Sequence, residues 1–384
     1  MSNLRILKTV YDKLGNDFVR SVMLTTAEQL GIRKDIIRMD TNGYCNIRCI
    51  MCRQADIEGK NQFISLEKYK TIIDMFAPTT RMLYLSCAHE PLITPGFTEY
   101  IKYAKSKGIP HISFCTNALL LNNNIISCLV DDEIDEIIIS FNGFCKEDYN
   151  RIMKGSDYER VCANIKALSN YKKKRNAVKP HIRLNSILLK SNLENFENIY
   201  SFMLDNNIDT IQFRELMLLE NQNNPIEVNK ELISDLSNEK YVQVASKIKN
   251  MAKQLQTCGK EIILPSTFWD YTAQSDNSEI CDNAMGAGSP ITSDNAAAAK
   301  ADMSIHKKQN PKKHSCSIPC FSYWIDRMGE VRVCGYDDNG IIGNALSKDY
   351  KILKARRKAF QKIALAGECS RELCTTNIDS SSIV

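Results

Sequence analysis

The chain has 384 residues, 43% of them hydrophobic and 25% charged, with a formal net charge of +5. That length can bury a large core and hold one large domain plus a smaller one, and the composition is that of a soluble globular protein. No apolar run approaches the ~18 residues of a membrane span, Met1-Ser2-Asn3-Leu4-Arg5 lacks the pattern of a secretion signal, and so mild a charge argues against a nucleic-acid partner. The expectation is a cytoplasmic protein without membrane contact, in which 15 cysteines point to metal rather than to disulfides.

Residues 1–35 read as a helical extension, with apolar positions near helical spacing. Ile36–Asp40 is a short predicted strand. Directly after it comes Cys45-Asn46-Ile47-Arg48-Cys49-Ile50-Met51-Cys52, three thiols spaced C-x3-C-x2-C. At this cysteine content the spacing arises by chance in about one chain in fifty. Thiolates are soft ligands, and three converging from one loop suit an iron–sulfur cluster or zinc. Without a fourth nearby, one metal corner stays open for chemistry.

Ser65 caps a predicted helix through Phe76, stopped by Pro78. Strand Met82–Ser86 follows, then a helix over Phe97–Lys107 closed by Gly108. His111–Cys115 is a third strand, Asn123–Val130 a helix, Glu136–Phe141 a fourth strand. A helix over Tyr158–Lys172 precedes a fifth strand, His181–Leu189; Leu193–Asp205 is helical, and Thr210–Phe213 is the sixth strand. The basic run Lys172-Lys173-Lys174-Arg175 suits the end of a helix. Six strands alternating with helices make a parallel α/β fold. Several strands read as apolar on both faces, as buried parallel strands do. The pattern alone leaves a closed barrel and an open sheet both open.

The cysteine spacing, with the bulky Met51 before the last thiol, resembles the signature of the radical S-adenosylmethionine (radical SAM) superfamily. The resemblance implies a partial (β/α)6 TIM-like barrel and a catalytic [4Fe-4S] cluster on Cys45, Cys49 and Cys52. It further implies S-adenosylmethionine chelated at the fourth iron, a flavodoxin- or ferredoxin-type reductant, and a 5′-deoxyadenosyl radical that abstracts a substrate hydrogen. Strand-end residues extend the likeness. Ser86–Leu92 resembles the family's G-G-E-P stretch, keeping Glu90-Pro91 but with Ala88-His89 for the glycines. Thr116-Asn117 resembles T-N-G, Ser140-Phe141-Asn142-Gly143 resembles S-x-D-G, and Ser191-Asn192 with Glu194 matches a weaker pattern. The resemblance therefore gives Met51, Glu90, Asn117, Ser140, Asn142 and Asn192 as cofactor contacts. His89 reads equally as a ligand or as a plain loop histidine. Asn150–Gly155 resembles a further recurrent family segment.

Residues 222–260 read as a polar helical bridge, and 288–313 as a loop with little to bury. Cysteines return at Cys316, Cys320, Cys334, Cys369 and Cys374. Phe321–Asp326 and Glu330–Cys334 read as a hairpin around Arg327-Met328-Gly329, and Lys348–Ala366 as a helix. Cys316, Gly329 and Cys334 fit the spacing of a small C-terminal SPASM/twitch-like cluster-binding domain, which implies an auxiliary [4Fe-4S] cluster; a zinc ribbon would use the same thiols. The expected domains are 1–35 (extension), 36–220 (core barrel), 221–313 (bridge and loop) and 314–384 (auxiliary domain). The expected activity is oxidation or rearrangement of a peptide or sugar-like small molecule. The rival is an iron–sulfur electron-transfer or metal-binding protein without radical chemistry.

Overall fold

The computed structural model describes residues 26, 30–52, 63–86, 88–216, 225–233, 236–265, 321–334, 340–347 and 349–365. The extension expected before Ile36, the loop expected over 288–313, and Cys316, Cys320, Cys369 and Cys374 lie largely or wholly outside these residues.

The fold is α/β with a mostly parallel sheet. Six strands run parallel in the order β1 (Asp35–Met39), β3 (Thr80–Tyr84), β4 (His111–Thr116), β5 (Glu136–Ser140), β7 (His181–Ile187) and β8 (Thr210–Arg214). A short β2 (Arg48–Cys49) pairs with β6 (Met153–Lys154) outside this sheet. Between the strands run α1 (Leu66–Phe76), α2 (Phe97–Ser106), α3 (Asn123–Asp131), α4 (Lys146–Ile152), α5 (Tyr158–Lys174), α6 (Lys190–Glu194) and α7 (Glu197–Asp205). Their starts are set by side chains that satisfy the first-turn N–H groups: Ser65 accepts from Lys68, Asn122 from Ile125 and Asp157 from Arg160. Each longer helix turns one apolar face inward; α1 buries Tyr69, Ile72, Ile73 and Phe76.

The sheet is longer at both edges than six strands. After α8 (Pro225–Asn229) and α9 (Asn238–Thr257), β9 (Glu261–Ile263) joins parallel to β8. At the other edge β10 (Ser322–Ile325) joins parallel to β1, and β11 (Glu330–Arg332) and β12 (Ile341–Asn344) continue antiparallel. The hairpin at Arg327–Gly329 is present, with Gly329 at φ +80 in its turn, and it extends the barrel sheet itself. The final helix α10 (Tyr350–Leu365) is fixed to β1 by a buried pair, Arg357 Nη1 to Asp35 Oδ1 at 2.8 Å.

The two faces of the sheet differ, which corrects the expectation of strands apolar on both sides. Ile37 and Met39, Ile112 and Phe114, Ile137 and Ile139, Ile182 and Leu184, Ile211 and Phe213 all join the core packed under the helices. The alternate residues turn inward, as period-two geometry requires. They include Arg38, Tyr84, Ser113, Cys115, Glu136, Ser140, Arg183, Asn185, Gln212 and Trp324. Among the six central strands β5, with three consecutive isoleucines, comes nearest to the doubly apolar pattern.

Candidate active site

The cysteine loop leaves the C-terminal end of β1 and is clamped from three sides. Asn42 donates to the Glu90 carbonyl (2.8 Å) and to Thr94 Oγ1 (2.9 Å), and its own oxygen accepts from the Tyr44 N–H (2.8 Å). The Glu90 N–H donates to the Tyr44 carbonyl at 3.1 Å. Arg48 folds back, donating to the carbonyls of Cys45 (2.6 Å) and Ile47 (2.9 Å) while lying over the Tyr44 ring. From the third side β6 pairs Cys49 with Met153, and the Ile50 N–H donates to the Ile152 carbonyl at 3.0 Å. Gly155, at φ +87, sits where a Cβ would lie 3.7 Å from the Ile47 backbone, so the Asn150–Gly155 segment serves as the brace of the thiol loop.

The three thiols are half-buried and electrostatically coupled. Burial is the main force that pushes Cys45 up to about 11, and the Glu90 and Cys52 charges add to it. Burial likewise pushes Cys49 well above the ordinary thiol range, with Cys45 and Cys52 raising it further. Left alone, Cys45 and Cys49 keep their protons; a cationic centre is what would draw out their thiolates. Among the described residues no three such side chains converge as ligands of a single ion. A cubane cluster takes each thiolate on a different iron and does not require that convergence. Three thiols on one loop are the donor set that such a cluster takes.

The strand-end residues lie around this loop in two groups. Glu90, 3% exposed, accepts from the Thr116 hydroxyl (2.7 Å), the Asn117 N–H (2.7 Å) and the Leu92 N–H (3.1 Å). Burial pushes its carboxyl up to about 7 against those three donors. Glu90 thereby holds Asn117, whose amide donates to Asn46 Oδ1 (2.8 Å) and reaches Cys45 Sγ at 3.9 Å. On the opposite side Asn142 donates to Met153 Sδ (3.1 Å), which is also 3.4 Å from Cys49 Sγ, and its oxygen accepts from the Ile187 N–H (2.8 Å). Met51 packs against the core edge beside the thiols.

Ser140 and Asn192 stand further off. Ser140 Oγ bonds Cys115 Sγ at 3.2 Å on the inner sheet face. Asn192, 1% exposed, donates to Ser186 Oγ and the Ile187 carbonyl, and its own oxygen is buried with no partner among the described residues. His89 is accounted for by Asp40, whose Oδ2 is 3.4 Å from its Nδ1 while Oδ1 accepts from the Ala88 N–H. Of the C-terminal cysteines, Cys334 is half-buried just after β11, and the other four lie outside the described residues. Met153 and Asn46 join the site without a signal in their own positions; the Asn150–Gly155 likeness was the available pointer to Met153.

Among solved structures, Streptococcus suis SuiB bound to S-adenosylmethionine aligns with a TM-score of 0.62 at 11% identity, covering 90% of this chain and 72% of that one. SuiB bound to its precursor peptide SuiA aligns at 0.59. At such identity the likeness is one of fold. In sequence, the GTP 3′,8-cyclase of Chlorobaculum tepidum is 24% identical over 139 residues, 36% of this chain and 42% of that protein. The tungsten-containing aldehyde ferredoxin oxidoreductase cofactor-modifying protein of Pyrococcus furiosus is 23% identical over 184 residues, 47% of this chain and 51% of that protein. The matches thus span about two fifths to one half of these relatives' own length. Residues 39–203, which carry the thiol loop and the strand ends around it, match the family described as the Radical SAM superfamily.

Proposed function

We propose that this chain is a radical SAM enzyme that oxidises or rearranges a peptide or sugar-like small molecule. The observation that carries the reading is the clamped loop of Cys45, Cys49 and Cys52 at the mouth of the sheet, ringed by strand-end polar groups. A [4Fe-4S] cluster held there by Cys45, Cys49 and Cys52 would supply the one electron needed to cleave the sulfonium of S-adenosylmethionine into methionine and a 5′-deoxyadenosyl radical. The chain's own residues hold the three thiols in place, shield them from water and set donors and acceptors about them. Glu90 and Asn117 stand on the Cys45 side and Asn142 on the Cys49 side, where they are suited to meet the cofactor's ammonium, carboxylate and ribose hydroxyls. Ser140 and Asn192 are proposed contacts at the margin of that site.

The C-terminal thiols Cys316, Cys320, Cys334, Cys369 and Cys374 are proposed to hold an auxiliary [4Fe-4S] cluster that accepts the second electron of an oxidation; cluster potentials span roughly −700 to +450 mV. A small electron-carrier protein of flavodoxin or ferredoxin type is the proposed reductant, and the cytoplasm the proposed compartment. No described helix is long and apolar enough to cross a membrane.

The test is anaerobic reconstitution with iron and sulfide, followed by assay of 5′-deoxyadenosine. Wild type should form it, and Cys45→Ala, Cys49→Ala or Cys52→Ala should each abolish it. In the same assay Cys334→Ala should lose iron yet still cleave the cofactor. Wild-type cleavage in a Cys45→Ala protein would remove the catalytic assignment. Zinc in place of iron at the C-terminal thiols would reduce that site to a structural one.

A further inference from the structure

The inner sheet face carries a guanidinium whose charge is not matched. Arg38 lies on β1 between the rings of Trp324 on β10 and Tyr84 on β3, at 4.9 and 5.1 Å from their centroids. The pairing register puts all three side by side on one face. Its neighbours are treated differently. Arg183 is met by Glu136 at 2.5 Å and Gln212 at 3.0 Å, and Arg332, opposite Trp324, is met by Glu330 at 2.6 Å. Among the described residues Arg38 has neither a carboxylate within ion-pair reach nor a hydrogen-bond acceptor, and it is only half-buried. Stacking between two rings fixes the plane of a guanidinium and leaves its edge N–H groups free to fork onto an anion.

The surroundings reinforce the charge. Tyr84 and Cys115 influence one another electrostatically, and Cys115 bonds Ser140 at 3.2 Å, so the polar wall continues across β4 and β5. Arg214, at the end of β8, acts electrostatically on both Tyr84 and Cys115. Arg38 stands next to the last residue of β1, at the strand end from which the thiol loop leaves.

We infer that Arg38, held between Tyr84 and Trp324, is the binding site for an anionic group, a carboxylate or a phosphate, of the substrate. This rests on the radical SAM reading for its purpose, and names the class of substrate. The substrate's charged end sits on Arg38 with Arg214 adding positive field, and its remaining atoms extend toward the thiols.

The experiment is anaerobic equilibrium dialysis of the cluster-loaded full chain against radiolabelled orthophosphate and, separately, radiolabelled succinate. At least one should bind saturably, and the one that does tells phosphate from carboxylate. Arg38→Gln should weaken that binding tenfold or more, Arg38→Lys by less, and Arg214→Gln should weaken it as well. Arg175→Gln, on the outer surface, should bind as wild type. Absence of saturable binding by wild type, or unchanged binding by a folded Arg38→Gln protein, overturns the proposal. Cofactor cleavage by wild type is scored independently. Cleavage without anion binding removes the anion site and leaves the radical chemistry; Arg38-dependent anion binding without cleavage does the reverse.

Discussion

The outer and inner faces of the same six strands make the instructive comparison. Outward, Ile112, Phe114, Ile137, Ile139, Ile182, Leu184 and Ile211 are each 0% exposed and packed under helices. Inward, at alternating positions, stand arginines, glutamate, glutamine, asparagine, serines and a thiol. A closed TIM barrel fills its interior with bulky apolar side chains. Here the inner face is polar and charged, while ordinary hydrophobic burial holds the strands from outside. Apolar packing and polar side chains are thus divided between two faces of one backbone, and a substitution should report which face it touches.

Three substitutions put that division at risk. The largest effect is expected at Phe114, which packs edge-on against Phe97 at 5.2 Å between centroids. Phe114→Ala should cost about 3–5 kcal/mol, read as a lower denaturant midpoint. Next comes Glu90 at the strand ends, in cluster-free protein. Its carboxyl is raised from 4.5 to about 7, so between those values the folded chain holds a proton that the unfolded chain has released. Stability should therefore fall as pH rises through that window, by about 3 kcal/mol at 1.36 kcal/mol per pH unit. Glu90→Gln should lack that slope; two parallel curves would mean that the buried charge is not Glu90. The smallest effect is expected on the inner face, where Ser140→Ala removes one hydrogen bond to Cys115 and should cost about 1 kcal/mol or less. A loss rivalling that of Phe114→Ala would end the distinction between the faces.

Much of this was legible in the sequence, and the reason is locality. The six strands, the cap at Ser65, and the placement of the thiol loop after the first strand all follow from short-range pattern. The polar lining was less so. His181–Ile187 and Thr210–Arg214 do alternate, but alternation does not say which face looks inward until the sheet is assembled. The Trp324–Arg38–Tyr84 sandwich depends on β10 entering beside β1, a pairing with no local mark. Met153 reaches Cys49 through a ladder only two residues long, below what strand propensity can register. Glu90 was expected to face a ligand; its tie to Thr116, Asn117 and Leu92 depends on the closeness of two loops.

The seating of β10 and α10 against β1 also has a consequence for how the chain reaches its fold. Arg357 and Asp35 meet across a separation of 322 residues, and β1 gains its second neighbour only when the C-terminal hairpin arrives. During synthesis at about 5–20 residues per second, the opening strand waits on the order of tens of seconds with one side of its ladder bare. An unpaired strand flanked by an apolar layer is a template for the wrong partner. Long-range parallel pairings are also the slowest to close. A strand made late, β10, therefore seals the first, and a chain cut short before Phe321 would leave that edge permanently open.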